Sequence, residues 1–452
     1  MKLRNRRRWT IPGLKSPLAI VVPLAIVMGL CLQVGVVTPA NAQSAGSGAG
    51  ATCTNGMGSG SPGVTSTSVN VASLGTLSGS LAADFAAMVP GVRAYFSALN
   101  AAGGINGRKI NLTYTLDDTA NPSQFSALAH DLTDQDHAFA AVGVSSPFFA
   151  PNFLVENCVP TYGYNVTGNW QGPPNLFAPD GSTLFLPQVA TQLAFLMKKY
   201  KLHSFATIAY GVAASSNTCS TVNQYMKLGG YTQAYSDLSV QIGGNVAPDV
   251  QRMKSAGVQM IMSCMDVNGN INLARSVQQY GMKVKQLWEN GSDQGVIDQY
   301  AGLLQGIIFE IGHVPFTAST SFYPGLKQYL RTMNKYAPKY TYDELAAQGC
   351  AAAALFAQGV KMAGSNLTQA NVVKQDNLIT AFNANGFYAV TNWTVAHTSA
   401  PGPFCGAYIQ VQGKRLVPIF GNGSQVFHCF AVKSNAPPNP TPVPLTPGTP
   451  GT

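Results

Sequence analysis

The stretch AFAAVGV, residues 138–144, is an unbroken apolar run of the length of one β-strand. A strand that is apolar on both faces is typical of a parallel sheet covered by helices on both sides. Upstream, strands are predicted over 69–74 and 110–116, and apolar residues at helical spacing predict a helix over 85–99 between them. Asn121, followed by proline, predicts the cap of a second helix. These elements form repeated βαβ units.

The same alternation returns further along the chain. Strands are predicted over 205–210, 259–265 and 284–288. Helices are predicted over 183–199, 221–228 and 273–280, and a long Ala-rich helix over 345–362 is expected to return to the first block. Because a barrel would need eight evenly repeated units, we predict an α/β fold of two doubly wound, Rossmann-like lobes joined by a hinge. The predicted division assigns 67–180 and 317–395 to lobe 1, and 181–316 and 396–432 to lobe 2.

The two ends of the chain differ in composition from the rest. A basic start, an apolar stretch over 17–37 and the sequence Ala40-Asn41-Ala42 predict a signal peptide over 1–42, cleaved after Ala42. The alternative is a retained membrane anchor, since about 20 apolar residues can span a bilayer. Residues 43–66 are rich in Gly, Ser, Ala and Thr and predict a flexible leader, whereas 433–452 predict an extended, proline-rich spacer.

The overall composition excludes two broad classes. Forty-six per cent of the 452 residues are hydrophobic and 10% are charged, which is typical of a folded chain and not of a disordered one. The formal net charge of +9 suggests a polyanion partner, but six of the 27 basic residues lie within the predicted signal peptide. Without them the excess of basic over acidic residues is small, so a nucleic-acid partner is not predicted.

Cysteine spacing predicts disulfides and no metal or redox site. Of eight cysteines, Cys31 lies in the predicted signal peptide, and the remaining seven leave at least one unpaired. Pairs Cys219–Cys264 and Cys405–Cys429 are predicted, the alternative being buried free thiols. No CxxC spacing occurs, and no cofactor is expected.

Catalytic motifs are missing from the sequence as well. There is no Gly-x-Ser-x-Gly and no His-Glu-x-x-His, and the six histidines never fall at metal-ligand spacing. His313 is the one histidine considered for nucleophilic catalysis, and a surface or hinge position is the preferred interpretation. We therefore do not expect an enzyme.

Parallel sheets bind ligands beyond the carboxyl ends of their strands, which identifies candidates in lobe 1. Ser145 and Ser146 follow the 138–144 strand, and Ser146 is predicted to cap a helix that begins at Pro147. Such a helix start suits a carboxylate, although Ser146 could equally cap its own helix and do nothing else. Tyr164 and Thr167 lie in the loop after a short predicted strand over 159–162.

In lobe 2 the predicted strands end in carboxylates and a phenol. Tyr210, Asp266, Glu289 and Asp293 are the candidates. Taken singly, such acidic residues are more often helix caps than ligand contacts. Taken together, they could hold an ammonium group while lobe 1 holds an anion, so the sequence predicts a zwitterion bound between the lobes.

Residues 99–110, LNAAGGINGRKI, continue to Asp117-Asp118 and Asn121-Pro122. This segment resembles the first helix and second strand of the leucine/isoleucine/valine-binding proteins, type I periplasmic binding proteins that feed ABC transporters. Weaker likeness extends over about residues 67 to 420. The resemblance implies two Rossmann-like lobes joined by three crossovers that close on a small ligand.

The resemblance also implies roles for particular residues. The family's serine-rich turn falls on Ser145 and Ser146, its threonine on Thr167, and its acidic partner for the ligand amino group within 289–293. The tyrosine that the family often has after the first strand of the second lobe has no counterpart in 211–215.

The implied function is an exported solute-binding protein, periplasmic or extracellular. Its ligand would be a branched-chain amino acid or related amide, and its partner a membrane permease. A monomer is expected. The alternative is a ligand-sensing module that signals to a membrane receptor.

Overall fold

The computed structural model describes Cys53 and residues 57–182, 186–397, 403–421 and 423–451. The predicted signal peptide and most of the predicted leader lie outside these ranges. Within them, no helix combines the length and apolar character needed to cross a bilayer.

Strands and helices alternate through most of the chain, as the sequence predicts. The strands are β1 (Ser68–Gly75), β2 (Lys109–Asp117), β3 (Ala141–Val144), β4 (Thr161–Gly163), β5 (Leu176–Phe177), β6 (Ser204–Tyr210), β7 (Thr232–Val240), β8 (Met260–Cys264), β9 (Lys285–Trp288), β10 (Ile308–Ile311), β11 (Phe404–Gln412), β12 (Arg415–Pro418), β13 (Phe427–Phe430) and β14 (Pro442–Val443). The α-helices are α1 (Met88–Ala101), α2 (Pro122–Asp134), α3 (Asn152–Glu156), α4 (Leu186–Tyr200), α5 (Ala213–Leu228), α6 (Ala247–Ser255), α7 (Val267–Gln279), α8 (Gln294–Tyr300), α9 (Pro324–Tyr336), α10 (Glu344–Ala363) and α11 (Gln369–Asp376).

The sheet of lobe 1 is parallel throughout, in the order β2-β1-β3-β4-β5. All four residues of β3 are buried, in agreement with the apolar run that predicted it. The side chain of Asn121 accepts a hydrogen bond from the Ser123 amide at 3.0 Å, so the predicted cap of α2 is confirmed. Helix α10 packs against α1, β3 and β4, which returns the chain to this lobe as expected.

The sheet of lobe 2 is mixed, in the order β14-β13-β11-β10-β9-β8-β6-β7, with β12 paired to β11. Its strands β6 to β10 are parallel, and β11 to β14 add antiparallel pairs. The sequence did not predict β7, because this edge strand reads TQAYSDLSV and is mostly half-buried. Helix α5 also begins well before the predicted start at residue 221. The two-lobed α/β fold itself is confirmed.

Three connections join the two sheets, after β5, after β10 and before β11. They lie against one another. The Thr391 hydroxyl donates to the Pro179 carbonyl at 2.9 Å, and the Val314 amide donates to the Phe387 carbonyl at 2.8 Å. His313 is buried in the second connection, with Nδ1 2.8 Å from the Val314 carbonyl oxygen, so it is a hinge residue and not a surface one.

The two ends of the described chain pack on the body, unlike the flexible leader and detached spacer that their compositions predict. In the leader, Val64 pairs with Val69 and the Ser61 hydroxyl donates to the Leu367 carbonyl at 2.6 Å. In the proline-rich tail, β14 pairs with β13, and Asn383 donates to the Gly448 carbonyl at 2.9 Å. Composition misleads here because contacts such as Ser61–Leu367 and Asn383–Gly448 join residues far apart in sequence.

Both predicted disulfides, Cys219–Cys264 and Cys405–Cys429, are present. A third disulfide, Cys53–Cys158, ties the leader to lobe 1 and was not predicted. Cys350 is the free cysteine of the described chain and is buried in α10. The odd cysteine count is therefore explained by one thiol inside a helix interface.

Candidate functional site

The loops beyond the carboxyl ends of the parallel strands of the two sheets meet between the lobes. Asp84 lies in the loop after β1, and its Oδ1 accepts a hydrogen bond of 3.1 Å from the Val267 amide, at the start of α7 after β8. One apolar cluster also contains side chains from both lobes, among them Met88 of α1 and Ile271 of α7. We call the region where these strand-end loops meet the interlobe cleft.

Ser145 and Ser146 are at the predicted strand end, but both hydroxyls are used inside lobe 1. Both residues are buried. The Ser145 hydroxyl donates to the Phe85 carbonyl at 2.9 Å, and the Ser146 hydroxyl donates to Asp118 Oδ2 at 2.5 Å.

The helix predicted to begin at Pro147 is not formed, since a turn follows Ser146 and α3 begins only at Asn152. Ser146 Oγ accepts from the Phe148 amide at 3.0 Å within that turn. The predicted helix cap is therefore wrong.

Tyr164 and Thr167 follow β4 and are half-buried at the edge of the cleft. The Tyr164 ring lies 6.2 Å from that of Phe85, centroid to centroid. Burial raises the pKa of Tyr164 well above its usual value, and the charge of Glu289 from lobe 2 raises it further. Thr167 Oγ1 is inaccessible to solvent and has no hydrogen-bond partner among the described residues. Both residues thus offer polar atoms that the protein does not satisfy.

Tyr210 and Asp266 form a pair within lobe 2. The phenol donates to Asp266 Oδ1, which also accepts from the Gly269 amide at 2.7 Å as the cap of α7. Burial and this hydrogen bond to the carboxylate raise the pKa of Tyr210. Asp266 therefore caps helix α7, which was the simpler interpretation of its position. The Tyr210 hydroxyl donates a hydrogen bond to the same carboxylate.

Glu289 and Asp293 follow β9 and differ in how they are held. Asp293 Oδ1 accepts from the Glu344 amide at 2.8 Å, which fixes the start of α10. No described residue makes a hydrogen bond to the Glu289 carboxyl group. Burial alone raises its pKa to about 7. Of the acidic residues that the sequence identified, Glu289 is the one with a carboxyl group still available to a ligand.

The sequence analysis did not identify several polar residues of the strand ends and connections. They are Asp84, Asp180, Glu310, Glu344 and Tyr388, from both lobes and from the connections. The charges of Glu344, Asp84 and Asp180 all raise the pKa of Tyr164. Asp84 could have been found by extending the strand-end rule to β1. Asp180 and Glu344 carry no local signal, because neither directly follows a predicted strand.

Two further observations within the described ranges concern other kinds of site. No cluster of His, Cys, Asp or Glu there has the arrangement of a metal site. A cavity of about 840 Å³ lies between α1, α9 and α10 and is lined by residues such as Leu99, Tyr329 and Cys350.

The buried carboxyl groups predict how the stability of the unliganded protein varies with pH. Burial raises the pKa of Glu344 to about 8 and that of Glu289 to about 7. These carboxyl groups therefore stay protonated in the folded state at pH values where they are ionised in the unfolded state. Their contribution to the free energy of unfolding is lost as pH rises through those values. Buried His313 has a pKa lowered to about 4 and acts in the opposite direction, but only below about pH 6.5. We expect the melting temperature to fall between pH 6.5 and 8.5.

The measurement is a series of thermal melts across that pH range. The Glu344→Gln variant keeps an acceptor for the Ser292 hydroxyl, which donates to Glu344 in the folded protein, and should flatten the slope. A wild-type melting temperature that rises over the same range would contradict the assignment.

Two doubly wound lobes, three connections between them and strand ends that meet in a shared cleft define a two-lobed binding protein of type I. The chain belongs to the periplasmic binding protein family, whose family model, described as "Periplasmic binding protein", matches residues 68–404. The resemblance to leucine/isoleucine/valine-binding proteins is thereby confirmed at the level of the family. Members of this family are solute-binding proteins and not enzymes.

Solved structures support the same fold. A branched-chain amino acid ABC transporter protein from Thermus thermophilus, with bound valine, is 16% identical with a TM-score of 0.66, over 81% of this chain and 97% of that one. A fatty acid transporter substrate-binding protein from Thermomonospora curvata is 16% identical with a TM-score of 0.66, over 82% and 95%. A solute-binding protein from R. palustris, in complex with benzoate, is 16% identical with a TM-score of 0.65, over 82% and 99%.

A curated relative matches over a short segment. The chain is 56% identical over 45 residues to an amino acid binding protein from Pseudomonas aeruginosa. This match spans 10% of the present chain and 12% of the length of that relative.

Proposed function

We propose that this chain is an exported solute-binding protein of an ABC transporter, which encloses a small ligand between its lobes and presents the closed form to a membrane permease. The observation that carries the proposal is the direct contact between strand-end loops of the two lobes. Asp84 of lobe 1 accepts a hydrogen bond from the Val267 amide at the start of α7 in lobe 2, and one apolar cluster contains side chains of both lobes. The proposal includes removal of the predicted signal peptide and function as a monomer.

The resemblance implies that the ligand is a branched-chain amino acid or a related amide. In that case Glu289 is the group that holds the ligand's amino nitrogen, and Tyr164 and Thr167 contact it from lobe 1. The fold does not choose among ligands, since its structural neighbours include proteins with valine and with benzoate bound.

A thermal-shift screen tests the proposal. The mature chain is melted with aliphatic amino acids, amides, urea, carboxylates and amines. A ligand that binds only the folded state at 100 times its Kd stabilises that state by about 2.7 kcal/mol. Isothermal titration calorimetry of any hit gives the stoichiometry, which should be one. A chain that binds no member of such a library at millimolar concentration would contradict a receptor function.

Thr167→Ala provides a residue-level prediction for any hit from that screen. We expect the variant to bind about fivefold more weakly, because about 1 kcal/mol is lost with one hydroxyl hydrogen bond. Thr115→Ala is the matched control, since Thr115 is exposed on the edge strand β2. Equal affinity of the Thr167 variant and the wild type would remove Thr167 from the site.

A further inference from the structure

The proline-rich tail crosses from one lobe to the other. It lies outside residues 68–404, which the family model matches. We call residues 435–451 the C-terminal strap. The strap begins on lobe 2, where the Asn435 amide donates to the Tyr225 hydroxyl of α5 at 2.9 Å. Further along, β14 extends the lobe 2 sheet by pairing with β13. The beginning and the middle of the strap are therefore fixed to lobe 2.

The far end of the strap is bonded to the third connection between the lobes. The Asn383 side-chain amide donates to the Gly448 carbonyl at 2.9 Å. The Val390 backbone amide donates to Thr449 Oγ1 at 3.4 Å. Thr449 is 1% exposed, so the protein encloses this contact.

The part of the third connection that holds the strap packs on lobe 1. Phe382 and Trp393 flank Asn383 and Val390, and both belong to an apolar cluster that contains residues of β1 to β5. The Trp393 ring lies 4.9 Å from the Phe177 ring of β5, centroid to centroid. The strap is thus a fourth link between the lobes, a noncovalent one beside the three covalent connections.

A link of this kind stabilises one arrangement of the lobes. When two lobes rotate about a hinge, dihedral changes in the connections take up the movement. The chain from 435 to 452 contains seven prolines and no charged residue, so the strap is stiff and loses little conformational entropy when it docks. Its bonds to the third connection are made in the same arrangement in which Asp84 of lobe 1 accepts from the Val267 amide of lobe 2.

We propose that the C-terminal strap is a clasp that holds the two lobes in this arrangement, with their strand-end loops in contact, and that its release from the third connection lets the lobes separate. Because the bonds of the strap and the bond between Asp84 and Val267 are made together, losing the first should lower the fraction of molecules that make the second. This inference goes beyond the proposed function and does not depend on which ligand binds.

Hydrogen exchange of the Val267 amide measures the contact between the lobes, because its hydrogen-bond acceptor belongs to the other lobe. The Gly269 amide donates to Asp266 Oδ1 within lobe 2 and is the internal reference. The test protein is the unliganded mature chain shortened after Pro444, which keeps β14 and loses both bonds to the third connection. Its Val267 amide should exchange faster by about tenfold or more, and its Gly269 amide at an unchanged rate.

An unchanged exchange rate of the Val267 amide in the shortened chain overturns the clasp. Equal acceleration of the Val267 and Gly269 amides also overturns it, since the strap would then stabilise lobe 2 as a whole and not the arrangement of the lobes. The measurement needs no ligand. A failed ligand screen would therefore remove the receptor function and leave this result in place.

A substitution within the strap decides the question if the shortened chain fails to fold. Thr449→Val removes the acceptor of the Val390 amide at nearly the same side-chain volume, and the Val267 amide should then exchange about fivefold faster. Thr441→Val makes the same change at an exposed position of the strap and should leave the rate unchanged. Equal Val267 exchange rates in these two variants would show that the bond to Thr449 does not hold the lobes together.

Discussion

Gly349→Val should destabilise the protein by more than about 3 kcal/mol or prevent its folding altogether. Helices α1 and α10 cross so closely that a Cβ at Gly349 would collide with the backbone carbonyl of Met88, and a Cβ at Gly91 would collide with that of Ala346. Backbone atoms cannot move aside by changing rotamer, so the two helices would have to separate. Chemical denaturation followed by circular dichroism measures the effect.

The matched control is Gly295→Val in α8. Gly295 is exposed, and a Cβ there would meet no atom within 4 Å. We expect a change in stability within about 0.5 kcal/mol for this control. Equal stability of the two valine variants would show that α1 and α10 are not in close contact.

Removal of the Cys219–Cys264 disulfide has the second largest expected effect. This bond links α5 to β8 within lobe 2 and closes a loop with a sequence separation of 45 residues. In the chain-entropy treatment, a loop of that length contributes about 4 kcal/mol by restricting the unfolded state. The Cys219→Ala/Cys264→Ala double variant should therefore show a markedly lower denaturation midpoint than the wild type.

The Cys350→Ala variant distinguishes the effect on stability of losing a cross-link from the effect of losing a buried sulfur atom. Cys350 is buried and free, and it contacts Met333 and the Gly91 carbonyl. Its replacement should cost about 1 kcal/mol, since no loop is opened. A double variant that is no less stable than the Cys350 variant would indicate that the disulfide does not constrain the unfolded chain.

The candidate site was predicted from sequence only where its residues directly follow a strand. Glu289 and Tyr164 were found by that rule, and their electrostatic coupling across the lobes agrees with a shared cleft. Ser146 also lies where that rule places it, and its hydroxyl bonds to Asp118, on a neighbouring strand loop. A strand-end position determines where a residue lies, but not whether its polar atoms are already used. Which of these residues contact a ligand remains a prediction.

The sequence by itself determined the strand and helix alternation, the two doubly wound lobes, two of the three disulfides and the family. These features follow from local patterns, such as the apolar run that became β3 and the cap at Asn121. Only the tertiary structure decided that Asp84 bonds to the start of α7, that Asp293 bonds to the start of α10, and that the chain ends pack on the body. The physical reason is that these contacts join residues far apart in the chain, and no local periodicity records which distant carboxyl groups will share a low-dielectric space.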